Sequence, residues 1–594
     1  MAEKFIAPVA NTQEQLTTWN LLSSRFQRPC PAGEHYALRL AQELELITAL
    51  KFAPHFLRVL EVLELTRDIP HITRGSAGSS LMCYLLGISD IDPVIHDIPI
   101  VRFINPQRDD LPDIDLDFPQ PYHREVLERI YRHWPGRAAR LSNYVKYREK
   151  SARREAARRV ANVKGKIPAD QDVGKLVPDH LQAEWQHLTH KLIGKKRCIS
   201  KHPGGVVVFD RPPAKSLIRA DNQILLDKYE VEDLAYLKID VLSNRGLAQL
   251  LTCNSRHPRE YPEQDDATQH LLANADTIGI CQGESPVMRR TLRALKPQTR
   301  TDLALALALI RPAAITGRSQ GVFFREFMGH NGVPGDLKYR NGLVYDEDAI
   351  NLIMMELVID PYQADMYRRG FVKKNEEIMF DFLGRLGNHP ERSRILNLLT
   401  NIDGFGLCKA HALNLAYMVW ALAWEKAHNT QMFWYSTLTH NNSMYRPWLH
   451  IEQAKRAGWR IQGKKRPWLV RGNCLYTPGW RQPLFETAQD QLERQGFWCQ
   501  DEFMPGCYYT EIGNIATFRG LIATHRIYNS GSGDHLTFAT LGCSPDQVID
   551  VQLPGVVKCK NWAAIEGQAT IEWRAGVKST WVNKFQLLTA QDLS

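Results

Sequence analysis

The spacing of apolar residues predicts helices over two long parts of the chain. Between residues 36 and 68, Leu40, Leu44 and Ile47 recur three or four positions apart, as they would on one face of a helix. Residues 270 to 455 follow the same period, with breaks at proline and glycine. The longest apolar run there, residues 412–424, contains Asn414 and is shorter than the roughly 20 residues that a membrane span requires. It predicts a buried helix in a helical domain.

Alternating or compact apolar runs predict strands elsewhere. LPDIDLDFPQ (residues 111–120) alternates, and HPGGVVVFD (202–210) and LAYLKIDVL (234–242) are short β-rich runs bounded by turn residues. From residue 512 to the end, short alternating segments predict a small β-barrel of about five strands, with an OB-fold favoured. At 594 residues the chain is too long for one hydrophobic core, and roughly three to five domains are expected.

Positive charge is concentrated in one segment. Between Arg137 and Lys166 there are eleven Lys and Arg residues against Glu149 and Glu155, an excess equal to the net charge of +9 of the whole chain. Several alanines, including Ala152, favour a helix there. A basic helix with so few acids is typical of phosphate binding, although a solvated helix face would give the same pattern.

Cysteine usage and the first residues bear on the cellular compartment. The eleven cysteines are scattered, with no C-x-x-C pair, which argues against a disulfide framework and a zinc module. The segment MAEKFIAPVANTQEQL has no basic stretch followed by an apolar run, so nothing in it directs export. We therefore expect a cytoplasmic protein with reduced thiols.

Three aspartates occupy alternate positions of LPDIDLDFPQ. A strand would place Asp113, Asp115 and Asp117 on one face, where a cation must offset their repulsion. An EF-hand calcium loop is excluded, because Phe118 stands where that loop needs glycine and Arg124 where it needs glutamate. A solvated acidic edge strand remains an alternative. Oxygen ligands without nearby His or Cys favour magnesium.

Two magnesium ions on strand carboxylates suit an in-line displacement at phosphorus, and they imply a further carboxylate on a neighbouring strand. Asp240 in LAYLKIDVL supplies one, although an ion pair with Lys238 would also explain this acid. The loop RGSAGSS (74–80) can direct backbone amides and a helix N-terminus at phosphate oxygens. It lacks the G-K-[ST] ending of a Walker A loop.

A series of longer motifs runs from about residue 35 to 465: RGSAGSSLMCYLLGISDIDP, RFINPQRDDLPDIDLDF, YREKSARREAARRV, HPGGVVVFDRP, LDKYEVEDLAYLKIDVLSNRGL, IGICQGESPVMRRTLRALKP, LALALIRPAAITG, ADMYRRGFVKK, GFGLCKAHALNLAYMVWALAWEKAH and AKRAGWRI. This series, and more loosely the terminal barrel, resembles the catalytic core of the bacterial family C DNA polymerases, the alpha subunit of DNA polymerase III. It is most similar to the error-prone branch of that family.

The resemblance implies a multidomain α/β and α protein with a polymerase-beta-like nucleotidyltransferase palm, helical thumb and fingers, and a C-terminal OB-fold. The implied domains are N-terminal helices with the first part of the palm (1–135), the basic thumb (136–195), the second part of the palm (196–270), the fingers (271–455), a linker (456–510) and the OB-fold (511–594).

By the same resemblance, Asp113, Asp115 and Asp240 are catalytic aspartates that bind two Mg²⁺ ions, and the role of Asp117 is left open. The implied nucleotide-binding positions are Arg74, Gly75, Ser76, Ser79, Lys201, His202, Arg311, Arg368, Arg369, Lys409 and His411. The implied DNA-binding positions of the thumb are Arg148, Lys150, Arg153, Arg154, Arg158 and Arg159. Any one of the basic residues could instead be a surface charge.

The sequence also departs from the family pattern. Full-length relatives begin with a histidine-rich PHP domain, whereas the first hundred residues contain no H-x-H, so we expect no PHP-dependent proofreading. No stretch resembling the family's helix-hairpin-helix region is found between the fingers and the barrel, which predicts low processivity. RPAAITG replaces a Pro-Gly-Pro motif and Asp346 replaces a glutamine, changes that are expected to alter nucleotide selection.

A short segment of the linker resembles the sliding-clamp peptide of longer relatives. Leu484 and Phe485 match its apolar pair, but Gln482 stands two residues before Leu484, so that Arg481 occupies the family's glutamine position. Packing of Leu484 and Phe485 against the barrel is the alternative. The clamp and other polymerase or repair subunits are the protein partners that this resemblance implies.

Together these observations predict a DNA-directed DNA polymerase that extends a primer on a template by two-metal nucleotidyl transfer. Its substrates are primer-template DNA and deoxynucleoside triphosphates. The alternatives are a DNA-binding accessory protein without catalysis, which retention of all three aspartates disfavours, and a nucleotidyltransferase that works without a template or on RNA.

Overall fold

The computed structural model describes residues 12–107, 112–165, 167, 171–219, 221–234, 236–311, 343–400, 407–440, 442–463, 466–478, 507–529, 535–544, 547–558, 563–574 and 577–588. The chain forms two compact units. The first contains Met1–Leu60, Arg67–Tyr122 and Ser243–Ser594, and the second contains Glu61–Thr66 and His123–Leu242.

The helices, in chain order, are α1 (Gln13–Ser23), α2 (Glu34–Ala49), α3 (Ala53–Leu65), α4 (Leu81–Leu85), α5 (His123–His133), α6 (Glu149–Val160), α7 (Gln182–Leu192), α8 (Lys228–Asp233), α9 (Arg245–Cys253), α10 (Asp266–Ala273), α11 (Pro286–Leu295), α12 (Arg300–Leu309), α13 (Asp346–Leu357), α14 (Pro361–Lys373), α15 (Glu376–Leu386), α16 (Arg392–Thr400), α17 (Lys409–His428), α18 (Thr430–His440) and α19 (Pro447–Arg456).

The strands are β1 (Ile72–Arg74), β2 (Ile114–Pro119), β3 (Ala138–Lys146), β4 (Lys196–Val208), β5 (Lys238–Asn244), β6 (Arg460–Gln462), β7 (Leu469–Arg471), β8 (Cys474–Tyr476), β9 (Tyr508–Ile512), β10 (Ile515–Asn529), β11 (His535–Ser544), β12 (Gln547–Pro554), β13 (Ala564–Arg574) and β14 (Val577–Leu588). The strands expected at LPDIDLDFPQ, HPGGVVVFD and LAYLKIDVL are confirmed as β2, β4 and β5.

The second unit contains an antiparallel sheet in which β4 lies between β3 and β5. Ala139 and Leu141 on β3 pack with Val207 and Phe209 in its core. Because these apolar side chains alternate along residues 138–146 and pair with β4, that stretch is a strand. The expectation of one basic helix from Arg137 to Lys166 was therefore wrong for its first part, and the helix is confined to α6.

The helix α17 lies in the main core of the first unit. Leu413, Trp420 and Leu422 are fully buried and belong to a cluster with residues of α9, α10, α12 and α18. The prediction of a buried helix at residues 412–424 is confirmed. Among the described residues, no helix is long and apolar enough to cross a membrane.

The C-terminal strands form a five-stranded barrel, as expected. The barrel is closed by antiparallel pairing of β10 with β11 and β13, of β11 with β12, and of β13 with β14, and by parallel pairing of β12 with β14. β9 adds to the outside of β10. Arg446 joins the barrel to the helices, because its backbone N–H donates to Ala523 O at 2.9 Å and its Nη1 donates to Ile522 O at 2.7 Å.

Candidate functional site

The loop after β1 lies beside the strand that carries the aspartates. β1 pairs antiparallel with β2, and Arg74 is opposite Asp115. The chain then turns through Gly75–Ser79 into the short helix α4. Ser79 is buried within this turn, and its hydroxyl has no hydrogen-bond partner among the described residues. The turn thus brings the expected positions 74–79 next to Asp115.

The N-terminus of α4 is occupied by a buried carboxylate. Glu43 on α2 accepts hydrogen bonds from the N–H groups of Leu81 and Met82 at 2.7 and 2.9 Å and from the Ser80 hydroxyl at 2.7 Å. Arg39 Nε donates to the same carboxylate at 2.7 Å. The expectation that this helix N-terminus receives phosphate was wrong, because Glu43 already satisfies its amides. Glu43 instead anchors the loop.

Asp117 on β2 is buried, and its charge is matched within the protein. Arg74 Nη2 lies 2.6 Å from Asp117 Oδ1, and Asn244 Nδ2 donates to Oδ2 at 2.8 Å. Burial raises the pKa of Asp117, against the opposing effects of Arg74 and Asn244. The cation that offsets this third carboxylate is therefore a guanidinium, and Asp117 orients Arg74.

Asp113 and Asp115 stand at the start of the same strand. Asp113 lies just before β2 and is exposed, whereas Asp115 is half-buried on the strand. Gly75 has a φ of +73°, and a Cβ at this position would lie 3.1 Å from Asp115 Oδ2. Both the left-handed conformation and the close approach favour glycine. Gly75 therefore keeps the space beside this carboxylate clear of a side chain.

Asp240 lies on β5 of the second unit and is buried. Its Oδ2 accepts a hydrogen bond from Lys238 Nζ at 3.1 Å, so the ion pair considered from the sequence is present. Its Oδ1 is buried without a hydrogen-bond partner among the described residues. Gly205 is opposite Asp240 on β4, and a Cβ there would lie 3.3 Å from Oδ1. The ion pair thus accounts for only one of the two carboxylate oxygens.

His202 is an ionisable neighbour of that oxygen. Its Nδ1 accepts hydrogen bonds from the N–H groups of Gly204 and Gly205 at 3.3 and 2.7 Å and lies 3.7 Å from Asp240 Oδ1. Burial lowers the pKa of His202, with Asp240 opposing the shift. A neutral ring whose Nδ1 already accepts cannot donate from that atom to Asp240.

The carboxylates can be compared with what magnesium requires. Magnesium is usually held by one or two carboxylates together with water and substrate phosphates, rather than by an all-protein cage. In the part of the chain that the structure describes, no three His, Cys, Asp or Glu side chains form a complete metal site. The Oδ1 of Asp240, which has no hydrogen-bond partner among the described residues, fits such a partial donor set.

His411 lies against the Gly/Ser loop in the first unit. The Gly75 N–H donates to His411 Nδ1 at 3.1 Å, and Cys408 Sγ donates to Gly75 O at 3.2 Å. Burial lowers the pKa of His411 to about 4, and Arg74 and Arg311 lower it further in the same direction. The ring is therefore neutral at pH 7, with its hydrogen on Nε2, next to two guanidinium groups.

Lys409 begins α17, two residues before His411. Its side-chain Nζ donates to His96 O at 2.6 Å, and its backbone N–H donates to Glu347 Oε2 at 3.0 Å. Glu347 is buried, its Oε1 has no hydrogen-bond partner among the described residues, and burial raises its pKa to about 7. The carboxyl group of Glu347 thus caps the helix that carries His411.

We expect the stability of the first unit to fall as the pH rises from about 5 to about 8, and Glu347→Gln to remove most of that fall. The folded-state pKa of Glu347 lies above the unfolded value of 4.5, so its stabilising contribution is present below pH 4.5 and is lost as the pH approaches 7. The shift corresponds to at most about 3 kcal/mol. Urea midpoints measured across this pH range, with exposed Glu376→Gln as the control, test this expectation.

Arg368 lies in a buried ion-pair network. Its Nη2 lies 2.9 Å from Asp365 Oδ1, and its Nη1 lies 3.4 Å from Asp346 Oδ1. Asp346 also pairs with Arg102, whose Nη2 lies 2.6 Å from Oδ2. These contacts give Arg368 and Asp346 a structural role that the sequence did not reveal. Arg102 lies far from Asp346 in the sequence, and Asp365 is only one helical turn from Arg368. Nothing in the sequence therefore indicated that either residue takes part in this network.

The remaining expected nucleotide-binding positions are more exposed or peripheral. Lys201 lies on β4 of the second unit and pairs with Asp221 at 2.9 Å, and both side chains are nearly half exposed. Arg369 is a half-buried residue of α14, and Ser76 is a half-buried residue of the turn after β1. The structure thus gathers Arg74, Gly75, Arg311 and His411 in the first unit. Ser76 and Ser79 lie on the same turn as Gly75, and Lys409 lies on the same helix as His411. Lys201 and His202 belong to the second unit.

The expected DNA-binding residues lie on or beside α6. Its alanines, including Ala152 and Ala156, are buried against α7, which leaves the charged face outside. Most of the arginines on that face already have acidic neighbours. The contacts are Arg153 with Glu149 at 4.0 Å and Asp172 at 3.7 Å, Arg158 with Glu155 at 3.9 Å, and Arg159 with Glu155 at 2.8 Å. Arg148 and Lys150 are exposed at the start of the helix.

The proposed clamp peptide lies outside the described residues. Gln482, Leu484 and Phe485 belong to the segment 479–506, so the structure does not test either the clamp interpretation or the packing alternative.

Comparison with known families gives two adjoining matches. Residues 14–243 match the bacterial DNA polymerase III alpha NTPase domain, and residues 247–386 match the bacterial DNA polymerase III alpha subunit finger domain. The first match spans the Gly/Ser loop and all three candidate aspartates, and the second ends at the last residue of α15.

Similar proteins are error-prone DNA polymerases. Error-prone DNA polymerase 2 of Rhizobium meliloti (strain 1021) is 27% identical over 521 residues, which is 78% of this chain and 47% of that protein. Error-prone DNA polymerase of Dechloromonas aromatica (strain RCB) is 28% identical over 491 residues, or 73% of this chain and 48% of that protein. Error-prone DNA polymerase 2 of Agrobacterium fabrum is 28% identical over 488 residues, which is 73% of this chain and 44% of that protein. The chain spans just under half the length of these relatives.

Proposed function

The chain belongs to the bacterial family C DNA polymerases, the DNA polymerase III alpha-subunit family, and from this premise we propose that it catalyses template-directed DNA synthesis. In this proposal it adds deoxynucleotides to a primer 3′ end, without proofreading and with low processivity. The observation that carries the proposal is made at Asp240 on β5, which is buried and whose Oδ1 has no hydrogen-bond partner among the described residues, so that this oxygen is available to a ligand.

We propose that Asp113, Asp115 and Asp240 hold two Mg²⁺ ions together with oxygens of the triphosphate. When bound, such ions lower the charge repulsion between the attacking 3′ oxygen and the phosphate and stabilise the leaving pyrophosphate. The protein's own part is positioning. Asp117 holds Arg74 in place, and Glu43 fixes the turn that carries Gly75. Base specificity comes from the template, so no side chain has to read the incoming base.

We propose that Arg74, Arg311 and His411 bind the triphosphate, with Ser76, Ser79, Lys201, His202, Arg369 and Lys409 as further members of the site. Two guanidinium groups beside a neutral imidazole N–H form a donor set that suits phosphate oxygens. Arg368 supports the site through its buried ion pairs rather than by contact with nucleotide. Arg148 and Lys150 of the thumb contact the DNA backbone, together with the arginines of α6.

His411→Gln should raise the KM for deoxynucleotide about 10-fold while the Kd for primer-template changes little. A hydrogen bond to a charged group contributes roughly 1.5–3 kcal/mol, and glutamine retains an acceptor for the Gly75 N–H but offers a displaced donor. Steady-state extension at varied nucleotide concentration measures KM, and fluorescence anisotropy measures Kd. The exposed His270→Gln is the matched control. Equal KM values for both variants would remove His411 from the nucleotide site.

We also propose that Leu484 and Phe485, with Gln482, form a sliding-clamp peptide. A low-processivity polymerase gains from a clamp, because tethering raises the effective concentration of its template without a new DNA contact. The terminal barrel is proposed to be an OB-fold that accompanies this function. Stimulation of wild-type synthesis by the clamp of the same cell, and its loss in Leu484→Ala with Phe485→Ala, would support the peptide assignment.

Primer extension on four homopolymeric templates, with and without magnesium, tests the proposed function. Incorporation of only the complementary nucleotide, dependent on magnesium, supports a template-directed polymerase. Incorporation that ignores the template, or that needs an RNA primer-template, would instead indicate a different nucleotidyltransferase. Tight DNA binding without extension would indicate an accessory protein.

A further inference from the structure

The second unit carries a basic surface outside the residues assigned above. It consists of Lys146 at the end of β3, of Lys195 just before β4, and of Lys196 and Arg197 at the start of β4, and we call it the basic ribbon. All four side chains are exposed. The backbone joins the two sides of the ribbon, because Tyr147 N–H donates to Lys195 O at 2.9 Å. The ribbon is therefore held by backbone hydrogen bonds at the end of the β3–β4 pair.

The register of the ribbon places like charges together. Lys146 is directly opposite Lys196 in the antiparallel pair. Directly opposed side chains of such a pair lie on the same face, and like charges there destabilise the pairing. Lys196 Nζ lies 3.5 Å from the centroid of the Tyr144 ring, and Arg197 Cζ lies 6.0 Å from that of Tyr147. Both cations thus lie over aromatic rings, which attract them but do not neutralise them.

No carboxylate offsets the ribbon within the part of the chain that the structure describes. None of its four cations forms an ion pair there, and several acids of the second unit have other partners. The engaged acids are Asp221 with Lys201 at 2.9 Å and Arg219 at 3.8 Å, Glu149 and Asp172 with Arg153, and Glu155 with Arg158 and Arg159. Arg153, Arg158 and Arg159 of α6 thus have acidic neighbours, whereas the four cations of the ribbon have none among the described residues.

We propose that the basic ribbon binds the sugar–phosphate backbone of a nucleic acid and contributes more phosphate contacts than Arg153, Arg158 and Arg159 of α6. The inference rests on the proposed function for its choice of DNA as the polymer. Phosphates placed over Lys146 and Lys196 relieve the repulsion between these side chains, which no described acid does. Release of the counterions condensed on the DNA supplies the driving force. The contacts are independent of base sequence.

The experiment compares two variants of the full chain that each lose two exposed positive charges from the same unit. Lys195→Gln with Lys196→Gln removes charge from the ribbon, and Arg158→Gln with Arg159→Gln removes it from α6. Fluorescence anisotropy of labelled primer-template DNA over a salt series gives the slope of log K against log salt. The ribbon variant should lose about 0.9 in slope for each phosphate contact removed, and should lose more than the α6 variant. Melting temperatures within a few degrees of wild type confirm that both variants fold.

Equal slopes for the ribbon variant and wild type, or a larger loss in the α6 variant, overturn the proposal. These outcomes are separable from failure of the proposed function. If the wild-type protein extends primers but the ribbon variant keeps its salt slope, the ribbon is wrong and the polymerase assignment stands. If the wild type fails to extend primers but the ribbon variant loses slope, the nucleic-acid surface stands without the polymerase assignment.

Discussion

Asp115→Asn and Asp240→Asn should each lower the rate of primer extension at least about 10³-fold, while the Kd for primer-template stays close to wild type. Asparagine keeps the shape of the side chain but removes the charge that the proposed Mg²⁺ ions would need. The effect is expected on the rate because such ions would act mainly on charge that develops in the transition state. Single-turnover extension and anisotropy measured on the same preparations separate the two quantities. Asp113→Asn is expected to behave in the same way.

Two controls distinguish this loss from a general loss of structure. Asp266→Asn makes the same chemical change at an exposed position at the start of α10 and should leave extension unchanged. Asp117→Asn should lower stability, because it leaves Arg74 without its buried carboxylate. Retained turnover in Asp113→Asn, Asp115→Asn or Asp240→Asn would remove that residue from the catalytic site.

Asp346→Asn should lower the free energy of unfolding of the first unit by about 3–5 kcal/mol. Asp346 is buried between Arg102 and Arg368, at 2.6 and 3.4 Å. Removing its negative charge leaves these two guanidinium groups with less negative charge nearby to balance their positive charge. Loss of one partner of a buried ion pair lowers the free energy of unfolding by about this amount. Urea unfolding followed by tryptophan fluorescence measures the change. Trp420 and Trp434 lie in the core of the same unit and report on it.

The matched control is Glu391→Gln, which removes one charge from an exposed pair with Arg394 and should cost less than about 1 kcal/mol. The pH dependence gives a second check. Burial alone would raise the pKa of Asp346, but Arg102 and Arg368 hold it below the usual value of 3.8. Its stabilising contribution is therefore present above about pH 4 and is lost as the pH falls further, so wild type and Asp346→Asn should converge in acid. A constant difference at all pH values would contradict this account.

The sequence predicted those parts of the fold and of the candidate site that depend on local pattern. The three strands, the buried helix at residues 412–424 and the five-stranded barrel follow from the period of apolar residues and were all found. Asp113 and Asp115 stood out because alternate carboxylates share one face of a strand, and Asp240 stood out because an isolated carboxylate in an apolar strand is costly unless something binds it. Their catalytic role was implied by the family resemblance.

Features that depend on distant contacts were not predictable in this way. Glu43 lies on an ordinary amphipathic helix, and only the fold brings it to the N-terminus of α4. There it accepts the hydrogen bonds that the sequence had predicted for a phosphate. The segment 138–146 looked helical because its charges continue into α6, but pairing with β4 decides its structure. Charge counting also favoured α6 as the DNA-binding surface, since it could not show which arginines are paired with acids.

The attachment of the barrel has a consequence for how this protein can be shortened or recombined. Leu521, Ala523, Ala564 and Leu588 of the barrel belong to the same hydrophobic cluster as the helices around α17. A barrel held in this way is not a detachable module on a tether, since separating it exposes apolar surface on both sides. Truncation before residue 507 should therefore yield an insoluble fragment, and exchange of barrels between relatives should succeed only when the contacting face is exchanged as well.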